Sequence, residues 1–479
     1  MNRIIKPSVV AVLLLILTSG YALFLEPLIG LADNGDFYRI MISNDLNHEN
    51  ERNKNDYFGY FNHKYDKLQY FNDLKGSNKS THSIFIKIAM KIDDIFTRDE
   101  KFDIRFHGLL CLMILALAIY WMVEVAVTMT CSIKLKYFIA VMAIFIFGDI
   151  GYTSYFNSFF GESIAFSFYL LSIGALLKFA AEGDFRIKYL VIFSLSTFMF
   201  MGAKNQFSPN GILAFLVLLV LIFFKMSKRK KIVAMTLGSI LLVSTLLMYV
   251  VINDNIYLIN KYHMITRGVM LFEPDVQSVT KKIGLNEQYA LLSGTIYFDG
   301  TPVVDPRDEE LLRDFYSRYN IVSVTFYYFK NPKEFKKMMR LGLKNSYTIR
   351  PEVLGNYERK VGMEYGKKTN FFTFWSYLKN NYLPKNSGLI YMFLIICLVL
   401  SINRYLGYKK SNNVQSGIYI EIVLLYVFLT GFSQILVSFI GAGDTDFRKH
   451  LFMSTLSLDI LLYFNLAYVT FIILKKETI

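Results

Sequence analysis

The sequence predicts an all-α polytopic membrane protein, a bundle of about ten transmembrane helices with two large extracytoplasmic loops. Three observations carry this. The 479 residues are 54% hydrophobic and only 19% charged, with a mean hydropathy of +0.35, which a soluble domain does not sustain. Apolar runs recur at lengths that match a hydrocarbon core of roughly 30 Å. Lys and Arg fall on one side of those runs far more than on the other.

Ten runs are read as spans: 7–31, 106–130, 135–150, 162–181, 187–203, 209–225, 232–252, 387–403, 417–440 and 450–474. The 135–150 and 387–403 runs are the shortest. Arg3 and Lys6 precede the first run and hold the N-terminus in the cytoplasm. No small-residue cleavage site follows it, so it reads as a retained anchor. Alternation then assigns 17 cations to cytoplasmic segments, among them Lys134, Lys136, Lys178, Arg186, Lys188, Lys225, the Lys228–Lys231 run, Lys409, Lys410, Lys475 and Lys476. The three short outer loops hold only Lys204, Arg448 and Lys449. Both termini are therefore expected in the cytoplasm of a bacterial cell. The formal charge of +14 tracks this topology, so no nucleic-acid partner is expected. Cys111, Cys131 and Cys397 suggest neither a disulfide framework nor a zinc site.

Three regions follow: an N-terminal transmembrane module (1–252) with its first outer loop (32–105), an extracytoplasmic loop domain (253–386), and a C-terminal transmembrane module (387–479). In the first loop, Ser83–Phe96 carries Ile and Phe among Lys and Asp at helical spacing, as an amphipathic helix on the membrane surface or packed on the spans does. In the second, Asp305-Pro306 and Asn331-Pro332 each pair a cap residue with a first-turn proline and predict helix starts. Phe371–Tyr382 is aromatic-rich and predicts an interfacial segment.

Four polar strings open or close spans on the expected outer face. The first is Asp33-Asn34-Gly35-Asp36-Phe37-Tyr38-Arg39. The second runs from Tyr155 through Asn157 to Glu162. The third is Gly202-Ala203-Lys204-Asn205-Gln206-Phe207. The fourth is Gly443-Asp444-Thr445-Asp446-Phe447-Arg448-Lys449-His450. Taken singly, each also fits a helix cap or an interfacial anchor. Together they place acids and the only misplaced cations at one membrane depth, where charge is costly and marks function. A carboxylate, Asp36 or Asp33, suits a general base that takes a proton from an acceptor hydroxyl. Lys204, Arg448, Lys449, His450 and Arg39 suit a phosphate leaving group. Asn157, Glu162, Asn205, Gln206, Tyr155, Asp444 and Asp446 are candidates to orient a sugar.

Other apparent motifs carry less. Asp444-Thr445-Asp446 matches the D-x-D of metal-dependent nucleotide-sugar enzymes, but its expected side of the membrane is wrong for that donor. His63 and Asp66 have a spacing open to a metal or to solvated surface. Glu124 and Asp459 lie inside spans, paired or on a proton path.

The strings DNGDFYR, SYFNSFFGE, GAKNQF, NSYTIRPEVLGNYE and GDTDFRKHLFM resemble GT-C membrane glycosyltransferases, and most closely the WsfD-type bacterial hexose transferases of surface-glycan synthesis. The resemblance implies a polyprenyl-phosphate-hexose donor, a glycan or cell-wall polymer acceptor, inversion at the anomeric carbon, and a first-loop carboxylate as base. It implies no certain cofactor and leaves a divalent cation open. Asn34 and Gly35 separate the two acids, unlike the adjacent pair of the family, and Asp36 is favoured because it begins the following helical turn. A lipid-linked glycan flippase or exporter, or an ion-conducting protein, is the alternative. Either would need charge along a crossing path rather than at one face.

Overall fold

The computed structural model describes residues 5–49, 56–181, 186–224, 226–250, 254–410 and 414–477. Arg3 and Lys225 lie outside the described residues, as do the side chains of Lys475 and Lys476. In chain order the helices are α1 (Pro7–Phe24), α2 (Phe37–Ser43), α3 (Thr81–Phe96), α4 (Arg105–Ala126), α5 (Ile133–Phe147), α6 (Ile150–Thr153), α7 (Glu162–Ala181), α8 (Ile187–Met201), α9 (Asn210–Leu221) and α10 (Lys228–Val250). There follow α11 (Asp254–His263), α12 (Val276–Lys282), α13 (Ile321–Lys330), α14 (Pro332–Asn345), α15 (Phe374–Asn381), α16 (Ser387–Lys410), α17 (Val414–Ala442), α18 (Phe447–His450) and α19 (Phe452–Glu477). The protein is an all-α, multi-pass membrane protein.

Each of the ten predicted spans contains a helix, but among the described residues only seven are long and apolar enough to cross a bilayer: α1, α4, α7, α10, α16, α17 and α19. α8 and α9 are shorter apolar helices, and α5 has 15 residues. The 387–403 run extends to a 24-residue helix. α7 is apolar all round and buried between α4, α8, α17 and α19, as a central helix must be.

The first span is shorter than its apolar run. α1 stops at Phe24, because Pro27 cannot continue a helix. Residues 28–32 remain buried without forming a helix. Their backbone groups find partners elsewhere: Gly30 N–H donates to the Asn356 carbonyl (3.1 Å), Ala32 N–H to Gly355 (3.0 Å), and the Asn356 amide donates to the Gly30 carbonyl (2.7 Å). Buried non-helical backbone persists only when satisfied in this way. The late loop thus lies against the first motif.

Ser80 caps α3 by accepting from Ser83 N–H, and the amphipathic helix packs on α4 and α8. A small antiparallel sheet, β1 (Leu46–Asn47), β2 (Lys64–Lys67) and β3 (Lys101–Asp103), closes the first loop in the order β1-β2-β3, with Leu46 opposite Lys67 and Tyr65 opposite Phe102. α14 begins at Pro332 as predicted. No helix begins at Pro306; the Asp305 carboxylate instead accepts from Arg307 N–H in a turn. A second hydrophobic cluster joins Tyr262, Phe315, Tyr328 and Met338 to Ile435 and Phe439 of α17. α15 exposes Phe374 and Tyr377 and turns Trp375 inward.

Candidate functional site

Asp33 and Asp36 do different work. Asp33 is 1% exposed. Its Oδ1 accepts from Gly35 N–H (2.7 Å) and Phe37 N–H (3.2 Å), and its Oδ2 lies 3.0 Å from His48 Nε2. This is an Asx turn feeding the start of α2. Gly35 sits at φ +96°, a conformation that glycine adopts without strain. The turn sets Asp36 at the start of α2 with its carboxylate 32% exposed. Asp36 is ion-paired with Arg39, one helical turn on, and with Lys449 of α18.

Lys449 is buried, with its ammonium 4.6 Å from the centre of the Phe160 ring. Burial lowers its pKa to about 7, and the charge of Asp33 works in the other direction. Phe160 and Phe159 both pack edge-on against Phe37. That aromatic contact joins the first motif to the second string. Glu162 opens α7 fully buried; its Oε1 accepts from Lys204 Nζ at 2.6 Å, and its Oε2 has no partner among the described residues. The Tyr155 hydroxyl is likewise buried without a partner. Burial, then the charge of Glu162, push its pKa well above the ordinary value, so it stays a neutral donor. Gln206 donates to the His450 carbonyl at 2.7 Å. The four strings therefore meet at one end of the bundle.

A second group of charges joins them from the late loop. Arg448 is ion-paired with Glu352 at 2.7 Å, and Lys385 approaches the same carboxylate at 3.6 Å. Burial works against the Glu352 charge, but the hydrogen bond from Arg448 and the charges of Arg448, Lys385 and Lys368 outweigh it and hold its pKa low. Lys368 is pushed down by burial and by Arg350, Arg448 and Lys385, against the pull of Glu352. Arg350 is buried and reaches the Asn356 amide oxygen. Arg448, Lys385 and Lys368 thus act on one acid, Glu352, while Arg350, which acts on Lys368, has the buried Asp149 as its own acidic neighbour. The cluster repels itself, and an anion would relieve it.

Several sequence-predicted residues have structural work. Asn157 is buried and donates through Nδ2 to the carbonyls of Leu23 (3.0 Å) and Ile29 (2.9 Å), which caps the end of α1, while its Oδ1 has no partner among the described residues. Asp444 is held bidentately by Arg267 at 2.7 and 2.9 Å. Beside it Gly443, at φ +61°, lies so close to Arg267 that a Cβ would come 2.4 Å from its carbonyl carbon. Asp444 therefore pins the late loop to the end of α17. Asp446 and Asn205 are exposed, Asp446 at φ +50°. His450 was expected as a cation; burial, then Lys204 and Lys449, push its pKa well below the ordinary value and keep it neutral. Glu124 pairs with Lys178 at 3.1 Å and Asp459 with Lys379 at 2.6 Å, and Glu421 of α17 pairs with Arg404. His63 pairs with Glu358 at 2.6 Å.

His48, Arg350, Glu352, Lys368 and Lys385 were not singled out from the sequence. Arg350, Glu352 and Asn356 lie in the NSYTIRPEVLGNYE string. Among the described residues no group of three His, Cys, Asp or Glu side chains is placed to hold a metal. Asp33 is occupied by N–H donors and His48, and Asp36 by two cations, so this donor set does not fit a divalent cation.

A search among curated proteins found no match. The family model described as the YfdI N-terminal transmembrane domain matches residues 1–478. With nearly its whole length so matched, the chain belongs to the YfdI N-terminal transmembrane domain family.

Proposed function

We propose that the protein is an inverting glycosyltransferase. It moves a hexose from a polyprenyl-phosphate carrier to a cell-surface glycan or cell-wall polymer on the outer face of the cytoplasmic membrane. The finer likeness to WsfD-type hexose transferases belongs to this proposal, as do cytoplasmic termini and an outward-facing site. The observation that carries it is Asp36. It is the half-exposed acid of the first motif, ion-paired to Lys449 and Arg39, and Arg448 of the same last motif belongs to a cluster in which it, Lys368 and Lys385 outnumber Glu352.

The chemistry follows from those charges. The donor phosphate is drawn to Lys449, Arg39 and the Arg448–Arg350 cluster. Competition for Lys449 and Arg39 frees the Asp36 carboxylate. Asp36 then takes the proton of the acceptor hydroxyl as that oxygen attacks the anomeric carbon. The new C–O bond forms as the bond from that carbon to phosphate breaks, and the electron pair leaves on the polyprenyl phosphate. Its growing charge meets fixed cations in a partly dehydrated site, where they are most effective. Glu162 and Tyr155, each with an unpartnered buried oxygen, are the candidates to bind hexose hydroxyls. Lys204 holds one oxygen of Glu162 by an ion pair, and Gln206 fixes the backbone of His450.

The test is to purify the protein and incubate it with a panel of radiolabelled polyprenyl-phosphate hexoses, with and without wall-polymer acceptors. Consumption of one donor, with label moved to the acceptor, is expected. If no donor is consumed by folded protein under any acceptor condition, the proposal fails.

A further inference from the structure

The hairpin formed by α13 and α14 has one side seated on the bundle and the other open. On the seated side, Tyr328 and Phe335 pack against Phe439 of α17 at ring-centre distances of 5.0 and 5.8 Å. Gly342 lies so close to α17 that a Cβ there would come 2.5 Å from Ile435. Ile435 is seven residues before the end of α17 at Ala442. At 1.5 Å per residue that is about 10 Å below the end of the span. The hairpin therefore lies along the flank of a membrane helix, at the depth where lipid meets water.

The open side divides into two chemistries. On α13, Val322, Phe326 and Phe329 stand on one face at i, i+4 and i+7, exposed to 57%, 60% and 79%. On α14, Lys333, Lys336, Lys337, Arg340 and Lys344 stand on one exposed face. The only acid of that helix, Glu334, takes Lys337 at 2.9 Å. Among the described residues no ion pair holds Lys333, Lys336, Arg340 or Lys344. Three large apolar side chains beside a row of unpaired cations have the pattern of an interfacial helix. An acidic polymer arriving from water would use the cations and leave the apolar row bare.

We infer that the α13–α14 hairpin is a membrane-surface anchor. Its apolar row enters the acyl boundary of the adjoining leaflet, and its basic row binds anionic phospholipid headgroups. This does not depend on the glycosyltransferase reading.

The test places Phe329→Cys in the full-length protein with the exposed Cys131 changed to Ser, and labels it with an environment-sensitive fluorophore. The protein is reconstituted in nanodiscs of phosphatidylcholine alone or mixed with phosphatidylglycerol. The expected result is blue-shifted emission in the mixed discs. The shift is lost at high salt and in the Lys333→Glu, Lys336→Glu, Arg340→Glu variant. The salt arm needs no charge-reversed variant, so a folding failure of that variant leaves the test intact. A water-like spectrum in both lipids overturns the inference. So does an equal shift in both lipids, which removes the headgroup role. A shift that appears only when soluble polyphosphate is added also overturns it and assigns the basic row to a polymer.

Discussion

Asp36 and Lys449, 413 residues apart in the chain, form an ion pair that closes the first outer motif against the last. The pair depends on two local devices. The Asx turn of Asp33 starts α2 and presents Asp36, and α18 turns Lys449 inward against Phe160. An acid and a cation held this way are matched to a reaction in which one accepts a proton and the other receives a phosphate.

The two aspartates therefore differ in what their loss does. Asp36→Asn keeps shape and removes the proposed base; turnover is expected to fall about 10²–10⁴-fold with donor binding largely kept. Asp33→Asn leaves one acceptor oxygen but unsettles the contact with His48, and is expected to lower stability by on the order of 1–3 kcal/mol. Single-turnover rates and thermal melts of both variants check this. Full activity in Asp36→Asn removes Asp36 as the base.

Donor binding is expected to divide along the cation cluster. Arg448→Ala loses a proposed partner of the donor phosphate and is expected to weaken donor affinity about tenfold, or about 1.4 kcal/mol. Arg350→Ala is expected to cost more, because Arg350 is buried and also holds Asn356 against Gly30. Arg448→Lys is expected to rescue only in part, since a lysine cannot make the two-pronged contact of a guanidinium. Titration of each variant with labelled donor measures this. Unchanged affinity in both alanine variants would place the phosphate elsewhere.

Lys449 gives a pH signature. Its pKa is lowered to about 7, so its cationic form is present below that value and is lost as pH rises through it. Donor affinity is therefore expected to decline above about pH 7. In Lys449→Arg the guanidinium stays charged, and the decline is expected to vanish. Binding measured from pH 6 to 9 in both proteins separates this from a general loss of folding. An identical decline in Lys449→Arg would exclude Lys449 as its source.

Much of this was legible in the sequence. α7 starts at Glu162, α14 at Pro332, and the four polar strings meet as their shared depth implied. The end of α1 was signalled by Pro27, but the apolar residues to Leu31 concealed it, because a buried non-helical segment is as apolar as a helix. Asn157 and Asp444, read as ligand groups, also hold backbone and loop in place. A buried amide that binds carbonyls and one that binds a sugar need the same residue at the same depth. Arg350 and Lys368 reach the site only because the late loop folds back onto residues 30–32, a pairing over more than 300 residues that no local pattern announces.

Topology has a direct check. Ser77 and Thr301 are exposed in the two long loops, and Cys131 is exposed at the other end of α4. Ser77→Cys and Thr301→Cys, each in a cysteine-free background, are expected to react with an impermeant maleimide on intact cells. A protein retaining only Cys131 is expected to react only after the membrane is opened. Any reversal inverts the layout and removes the outward-facing site.

The deepest ion pair offers a test of what holds the late loop in place. Lys379 of α15 donates to Asp459 of α19 at 2.6 Å, and both are buried. Trp375 Nε1–H (2.8 Å) and the Tyr152 hydroxyl (2.6 Å) donate to the other oxygen of the same carboxylate. Removing one partner leaves an uncompensated charge in an apolar bundle, so Lys379→Met is expected to destabilise by about 3–5 kcal/mol. Asp459→Asn keeps an acceptor for Trp375 and Tyr152 but leaves the ammonium unmatched, and is expected to be destabilising as well. The double variant Lys379→Met, Asp459→Asn removes both charges together and is expected to recover most of the loss. Thermal unfolding of the four proteins in one detergent gives the coupling directly. If the two single losses simply add in the double variant, the pair is not what tethers α15. The aromatic contacts of Trp375 with Phe145 then become the tether.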